Sequence, residues 1–215
     1  MLLRKEEGHA MTWLYILIVI GAYLLGSIPT GMIIARRMGV NLRRVGSGNI
    51  GATNVTRALG KGWGAVVLLC DILKGLIPVL VSRKVIGSEG WQAEIWLSST
   101  VMAALLGHCF SVFIGFQGGK GVATGFGALV ALTPLAAFLA LCVWITSFSI
   151  YRLSALGAIS AAASLPITIF MVYPSRIYLA LSLIVAVLIF YTHRENIKRM
   201  IEGKEKGFKK RAKAS

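Results

Sequence analysis

The sequence predicts an all-α membrane protein with seven transmembrane helices, its N-terminus outside and its C-terminus cytoplasmic. Three observations lead there. Of 215 residues, 56% are hydrophobic and only 14% charged, against roughly 25% charged in a soluble domain, and the mean hydropathy is +0.75. Residues 13–35, 95–107, 121–151, 153–175 and 177–192 contain no Asp, Glu, Lys or Arg, and most of these runs supply the ~20 apolar residues that a span needs. The basic residues, finally, gather between the runs in a pattern that alternates along the chain, as orientation signals do.

Each element follows from these runs. The first span is placed at 13–35. It has a basic start like a secretory signal, but the apolar run is too long and lacks a small-x-small cleavage site, so it is read as retained. The second and third lie at 63–82 and 95–114. The stretch 122–150 is interrupted at Thr133-Pro134, and the residue before a proline disfavours helix, so it divides into a fourth span at 122–133 and a fifth at 134–150. The sixth and seventh are 154–173 and 177–192, followed by a basic tail, 194–215. Together they are expected to form one polytopic domain, 1–215. Parity agrees with the division. Arg36, Arg37, Arg43, Arg44, Arg57 and Lys61 follow the first span, and further bases run from Arg194 to Lys213. Placing both groups in the cytoplasm leaves only Arg4, Lys5, Arg83, Lys84 and Arg176 outside, and requires an odd number of crossings.

The formal net charge of +15 does not imply nucleic acid, because the bases flank apolar runs and no soluble basic domain is present to hold a duplex. Cys70, Cys109 and Cys142 lack metal-ligand spacing and read as core thiols. With no carboxylate cluster suited to Mg²⁺, neither metal nor cofactor is expected.

The informative residues lie in the polar segments. "GSGNIGATNVTRALGKG", Gly46–Gly62, opens as G-x-G-x-x-G, with Asp71 twenty residues past Gly51. A dinucleotide site would need a strand before it and an acid at the end of a second strand. Here a membrane span and two arginine pairs precede it, and Asp71 lies within an apolar run. A Walker A loop fails too, since neither Gly60-Lys61 nor Gly119-Lys120 has the earlier glycine or the following Ser or Thr. What survives is the physics: glycines let backbone N–H groups approach an anion, and helix N-termini add partial positive charge. "GSGNIGATN" and "GGKGVAT" both lead into helical segments on the same expected face as "HRENIKRM" from His193. Ser47, Asn49, Thr53, Asn54, Arg57, Lys120, His193, Arg194 and Asn196 are there accompanied by a single acid, Glu195. Such a site binds anions. The alternative is that the glycines serve tight turns and the bases merely orient the chain.

"GSGNIGATNVTRALG", "GHCFSVFIGFQGGKGVAT" and "YTHRENIKRMIEGKE", with "DILKG" at Asp71–Gly75, together resemble the bacterial acyl-phosphate:glycerol-3-phosphate acyltransferases. The resemblance covers essentially the whole chain. It implies a multi-pass enzyme of the bacterial cytoplasmic membrane with its active site on the cytoplasmic side. The implied reaction moves a fatty acyl group from acyl phosphate to the sn-1 hydroxyl of glycerol 3-phosphate, giving lysophosphatidic acid. Two phosphate-bearing substrates account for two glycine-rich loops, and an acyl chain accounts for the bilayer and contact with membrane lipid. The thioester-dependent acyltransferases place Asp five residues after a catalytic His, whereas His9, His108 and His193 are followed there by Leu14, Phe113 and Lys198.

Ser47, Lys120, His193 and Asn196 are the expected catalytic set, and Gly48, Asn49, Thr53, Asn54, Arg57, Gly118, Gly119 and Gly121 the expected substrate-binding set. Lys120 between glycines suits a phosphate, as does the planar fork of Arg57. His193 and Asn196, spaced i, i+3, share a helix face. His108 reads as an inter-helix hydrogen-bonding residue, and Asp71 and Lys74 as a structural pair or a wall near the site, since ionisable groups within a membrane are usually paired. The tail Lys204–Lys213 reads as a solvated segment drawn to anionic lipid. An anion transporter with phosphate-binding loops is the competing function; such proteins tend to contain internal repeats, and "IGATN" against "GVATG" is too short to count.

Overall fold

The structure, a computed structural model, describes residues 2–207, with side chains from residue 11 onward. The side chains of Arg4 and Lys5, and the tail from Phe208, used in the charge argument above, lie outside the described residues. Among the described residues ten α-helices follow one another: α1 (Leu2–Ser27), α2 (Thr30–Arg37), α3 (Ala52–Leu59), α4 (Lys61–Ile86), α5 (Trp91–Cys109), α6 (Val122–Leu132), α7 (Pro134–Tyr151), α8 (Ser154–Val172), α9 (Arg176–Thr192) and α10 (Arg194–Ile201). Five stretches are long and apolar enough to cross a membrane: Met11–Arg37, Lys61–Ile86, Trp91–Ile114, Pro134–Tyr151 and Ser154–Val172. Helices α9 and α10, bent by 59° at His193, make a sixth if taken as one span. The stretch expected as a fourth span is the shorter helix α6, only about 16 Å long at 1.5 Å per residue against a ~30 Å hydrocarbon core.

The break at Thr133-Pro134 divides α6 from α7, with Pro134 at the first helical position, where its missing N–H costs nothing. Glycines set the closest helix contacts. A Cβ on Gly26 would strike Ala104 O and one on Gly107 would strike Tyr23 O, so α1 and α5 meet backbone to backbone. Gly75 against Thr124 O and Gly127 against Ile72 O do the same for α4 and α6. Small residues matter because lipid tails are as apolar as leucine, which leaves close packing to hold helices together. The main core, with Val79, Leu97, Leu105, Leu165 and Ile169 among its buried members, lies between α4, α5, α6, α8 and α9. The segments 38–60, 110–121, 152–153 and 193–207 all come to one end of this bundle, linked by Arg43 to Gln117 O, Arg57 to Lys206 O and Lys120 to Asn196.

Candidate active site

The first glycine loop is built around one side chain. Asn54, in the first turn of α3, is 1% exposed. Its Nδ2 donates toward Leu42 O (3.2 Å), Val45 O (3.0 Å) and Asn49 O (2.8 Å), and its Oδ1 accepts from Ser47 N–H at 3.0 Å. Asn49 Oδ1 accepts from Gly51 N–H at 2.9 Å, closing the turn that leads into α3. Gly46 has φ +62°, and any side chain there would collide with Asn54 Oδ1. These bonds leave the Ser47, Asn49 and Thr53 side chains on the wall of a cavity.

The second loop is seated on α5. Gly118 N–H donates to Cys109 O (3.0 Å) and Gly119 N–H to His108 O (2.9 Å). A Cβ on Gly119 would run into His108 Nε2. Gly121, at φ +83°, turns the chain into α6 against Cys109 Sγ. The loop delivers Lys120, whose Nζ donates to Asn196 Oδ1 and whose carbonyl accepts from Thr192 Oγ1 at 3.1 Å. Burial pushes the Lys120 ammonium down to about 8, with Arg199 and Arg57 adding to the fall and Glu205 opposing it.

The third segment is the α9–α10 bend. His193 is 2% exposed; its Nδ1 lies 2.8 Å from Ile189 O, an acceptor, so Nδ1 carries the proton and Nε2 keeps its lone pair. Burial, then the charge of Lys120, lowers its pKa to about 4. Asn196, one turn on, donates from Nδ2 to Glu205 Oε1 at 2.7 Å.

Ser47, Asn49, Thr53, Asn54 and Arg57 thus share one cavity of about 580 Å³ with Lys120, Gly121, His193 and Asn196. The first turns of α3 and α6 also line it, through Ala52 and Thr53 and through Val122 and Ala123; the opening N–H groups of a helix have no intrahelical acceptor and favour anions. Away from this mouth the wall is apolar, with Ala137, Ala140, Ala158 and Ala161 beside Trp144 and Phe148, whose rings stack at 5.0 Å.

The structure adds detail to four of the expectations. The amides of Gly48, Gly118 and Gly119 are bonded to Val45 O, Cys109 O and His108 O, bonds that shape the loops. Asn54 reaches the wall but its amide is saturated by the loop. Of the acids in the C-terminal stretch, Glu205 lines the cavity, whereas Glu195 is exposed. The beginning of the tail, expected to be solvated, returns over the site: Glu205 Oε2 accepts from Arg199 Nε at 2.7 Å and Lys206 O accepts from Arg57 at 2.7 Å. The signal missed was an acid two residues past Gly203, itself a turn residue at φ +68°. Asp71 and His108 also line the cavity.

A sequence profile described as glycerol-3-phosphate acyltransferase matches residues 16–203. The chain belongs to this family. Among family members, the glycerol-3-phosphate acyltransferase of Geotalea daltonii is 45% identical over 195 residues, covering 91% of this chain and 98% of the relative. The crystal structure of PlsY (YgiH), an integral membrane glycerol 3-phosphate acyltransferase, in its glycerol 3-phosphate form superposes with a TM-score of 0.86 at 45% identity, covering 91% of this chain and 96% of that one. The lysophosphatidic acid form of PlsY superposes at 0.83, with 43% identity and coverage of 91% and 95%. The family member described here is accordingly a multi-pass membrane protein.

Proposed function

We propose that the chain transfers a fatty acyl group from acyl phosphate to the sn-1 hydroxyl of glycerol 3-phosphate, releasing lysophosphatidate and phosphate. One observation carries this reading: two glycine loops and the α9–α10 bend bring Lys120, Arg57, Ser47 and His193 to the polar mouth of a cavity whose remaining wall is mostly apolar. The mouth suits two phosphates and the wall an acyl chain.

The donor is already activated, so the protein need only align the acceptor, offset negative charge and stabilise the oxyanion. The acceptor oxygen attacks the acyl carbon, the carbon–oxygen bond to phosphate breaks, and the departing phosphate takes the acceptor proton. His193, with a pKa of about 4, is a weak proton acceptor at neutral pH; its Nε2 lone pair serves to orient the acceptor hydroxyl. Lys120 and Arg57 hold phosphate, and Ser47 and Asn196 donate hydrogen bonds. Cys109 Sγ packs on Gly121, buried and apart from an orienting base, which favours single displacement over an acyl-enzyme.

The protein sits in the cytoplasmic membrane as seven crossings, with α6 as a short fourth, the N-terminus outside and the site at the cytoplasmic face. The density of bases in 36–61 and 194–206 and the common end reached by these segments support that orientation. Purified protein in lipid, given acyl phosphate and glycerol 3-phosphate, is expected to form lysophosphatidate with intersecting initial-rate plots; parallel plots with a kinetically competent acyl adduct overturn single displacement. Cysteine labelling at Ser47, Gln117 and Asn196, in a background lacking native cysteines, is expected from the cytoplasmic side only.

A further inference from the structure

Three buried ionisable side chains lie together beneath the second glycine loop, and the transfer step uses none of them. Asp71 and Lys74 on α4 are 4% and 5% exposed and pair at 2.9 Å. Lys74 Nζ also donates to Ile28 O at 3.1 Å, a carbonyl at the break between α1 and α2. His108, in the last turn of α5, has Nδ1 at 3.1 Å from Thr124 Oγ1 and 3.8 Å from Asp71 Oδ1. Ionisable groups at such depth are expensive, and by default they mark function. The Asp71–Lys74 pair balances its own charge and needs no histidine beside it. What the histidine touches is the loop: its carbonyl accepts Gly119 N–H, the next carbonyl accepts Gly118 N–H, and its ring fills the space a Gly119 side chain would take. His108, by ring and carbonyl, therefore seats Gly119, the residue before Lys120, while the neighbouring Cys109 carbonyl seats Gly118.

We propose that Asp71 and His108 are positioning residues for substrate phosphate: the Asp71 carboxylate orients the His108 ring, and His108 seats Gly119 so that Lys120 meets its ligand. A carboxylate on the Nδ1 side favours the tautomer protonated there, as it does for histidines oriented by a neighbouring acid. The Thr124 hydroxyl accepts that proton. The hydrogen bond to Thr124 on α6 and the field of the Asp71 carboxylate 3.8 Å away on α4 together keep the ring from swinging into the loop above it. Without the carboxylate the tautomer preference weakens, the seat loosens, and phosphate binding suffers while the reaction of a fully bound complex is little affected.

This inference rests on the acyltransferase reading, and binding measurements separate the two. With full-length protein in lipid nanodiscs, calorimetric Kd values are taken for glycerol 3-phosphate and for a non-reacting acyl phosphonate, beside kcat and KM. Lys120→Ala identifies which ligand Lys120 holds. Asp71→Asn is expected to weaken that same ligand about tenfold, with kcat at saturation within about threefold of wild type. Because Asp71→Asn also strips Lys74 of its partner, Asp71→Asn/Lys74→Met is measured alongside: folding recovers and affinity does not. His108→Gln weakens the same ligand, and adding it to the Asp71 change brings no further loss. Wild-type affinity in Asp71→Asn/Lys74→Met would mean the carboxylate only neutralises Lys74, and would overturn the proposal. Multiplying effects of the Asp71 and His108 changes, or loss of kcat at unchanged Kd, would overturn it equally. Absence of product from the wild type would fault the reaction instead, and the affinity ratios would still decide positioning.

Discussion

In the first glycine loop the polar main-chain groups are tied by a side chain only a few residues away: Asn54 bonds Leu42, Val45, Ser47 and Asn49. In the second loop, Gly118 and Gly119 are tied to carbonyls of α5, and Lys120 to Asn196 on α10, 76 residues further along the chain. The first loop carries its own scaffold; the second borrows one from three helices. Both end at a helix N-terminus on the same cavity. Similar glycine-rich sequences thus reach the same cavity through local or through tertiary bonds, and damage will spread differently from each.

The largest expected effect lies in the borrowed loop. Lys120→Ala is expected to lower the rate by a factor on the order of 10²–10³, the usual loss when a group stabilising developing charge is removed, without change in melting temperature. Retention of more than about a tenth of the rate, on that same scale, would remove Lys120 from the transfer step. Gly119→Val strikes His108 and is expected to loosen residues 115–121 in hydrogen exchange while 42–54 stay protected.

Asn54→Ala makes the converse break. It opens buried groups worth about 1–3 kcal/mol each, so exchange rises across 42–54 and leaves 115–121 protected. If either substitution loosens both loops equally, the distinction between local and tertiary scaffolds is lost.

A smaller effect is expected from Arg57→Lys, which cannot reproduce the planar fork; loss of one charge-assisted bond raises KM for the phosphate it holds about tenfold. A change in kcat alone would move Arg57 away from binding.

The finest test is titration. Lys120 is charged below about 8 and neutral above it, so kcat/KM is expected to be full at lower pH and to fall as pH rises through about 8. Glu205 favours the charged form, so Glu205→Gln shifts that fall to lower pH. His193, lowered to about 4, stays neutral throughout and contributes no fall near neutrality. An unmoved midpoint in Glu205→Gln would show that Glu205 does not reach Lys120 electrostatically.

Much of this was legible before any coordinates. Composition and uncharged runs announce helices in a bilayer, because lipid cannot satisfy a lone backbone polar group. Thr133-Pro134 marks the division of α6 from α7 through proline's local geometry. Glycines, hydroxyls and bases, with few acids, announce anion chemistry. The depth of α6 was less legible, since an apolar run of that length reads alike as a short span or a buried segment.

The polar chemistry of the site and the helical character of its frame are properties of residue type and short spacing, so the chain alone determines them. Direction is another matter. Asn54 and Asn49 are both amides in one loop that line the cavity, yet the Asn54 side chain ties four main-chain groups and that of Asn49 only one. Glu195 and Glu205 are both acids in one basic stretch, yet only Glu205 turns back to Asn196 and Arg199. Asp71, Thr124 and His108 sit on α4, α6 and α5 and meet only because Gly75 and Gly127 let α4 and α6 touch. Short-range spacing ranks what a residue is able to do; which of those things it does is decided by helices packed from distant parts of the chain.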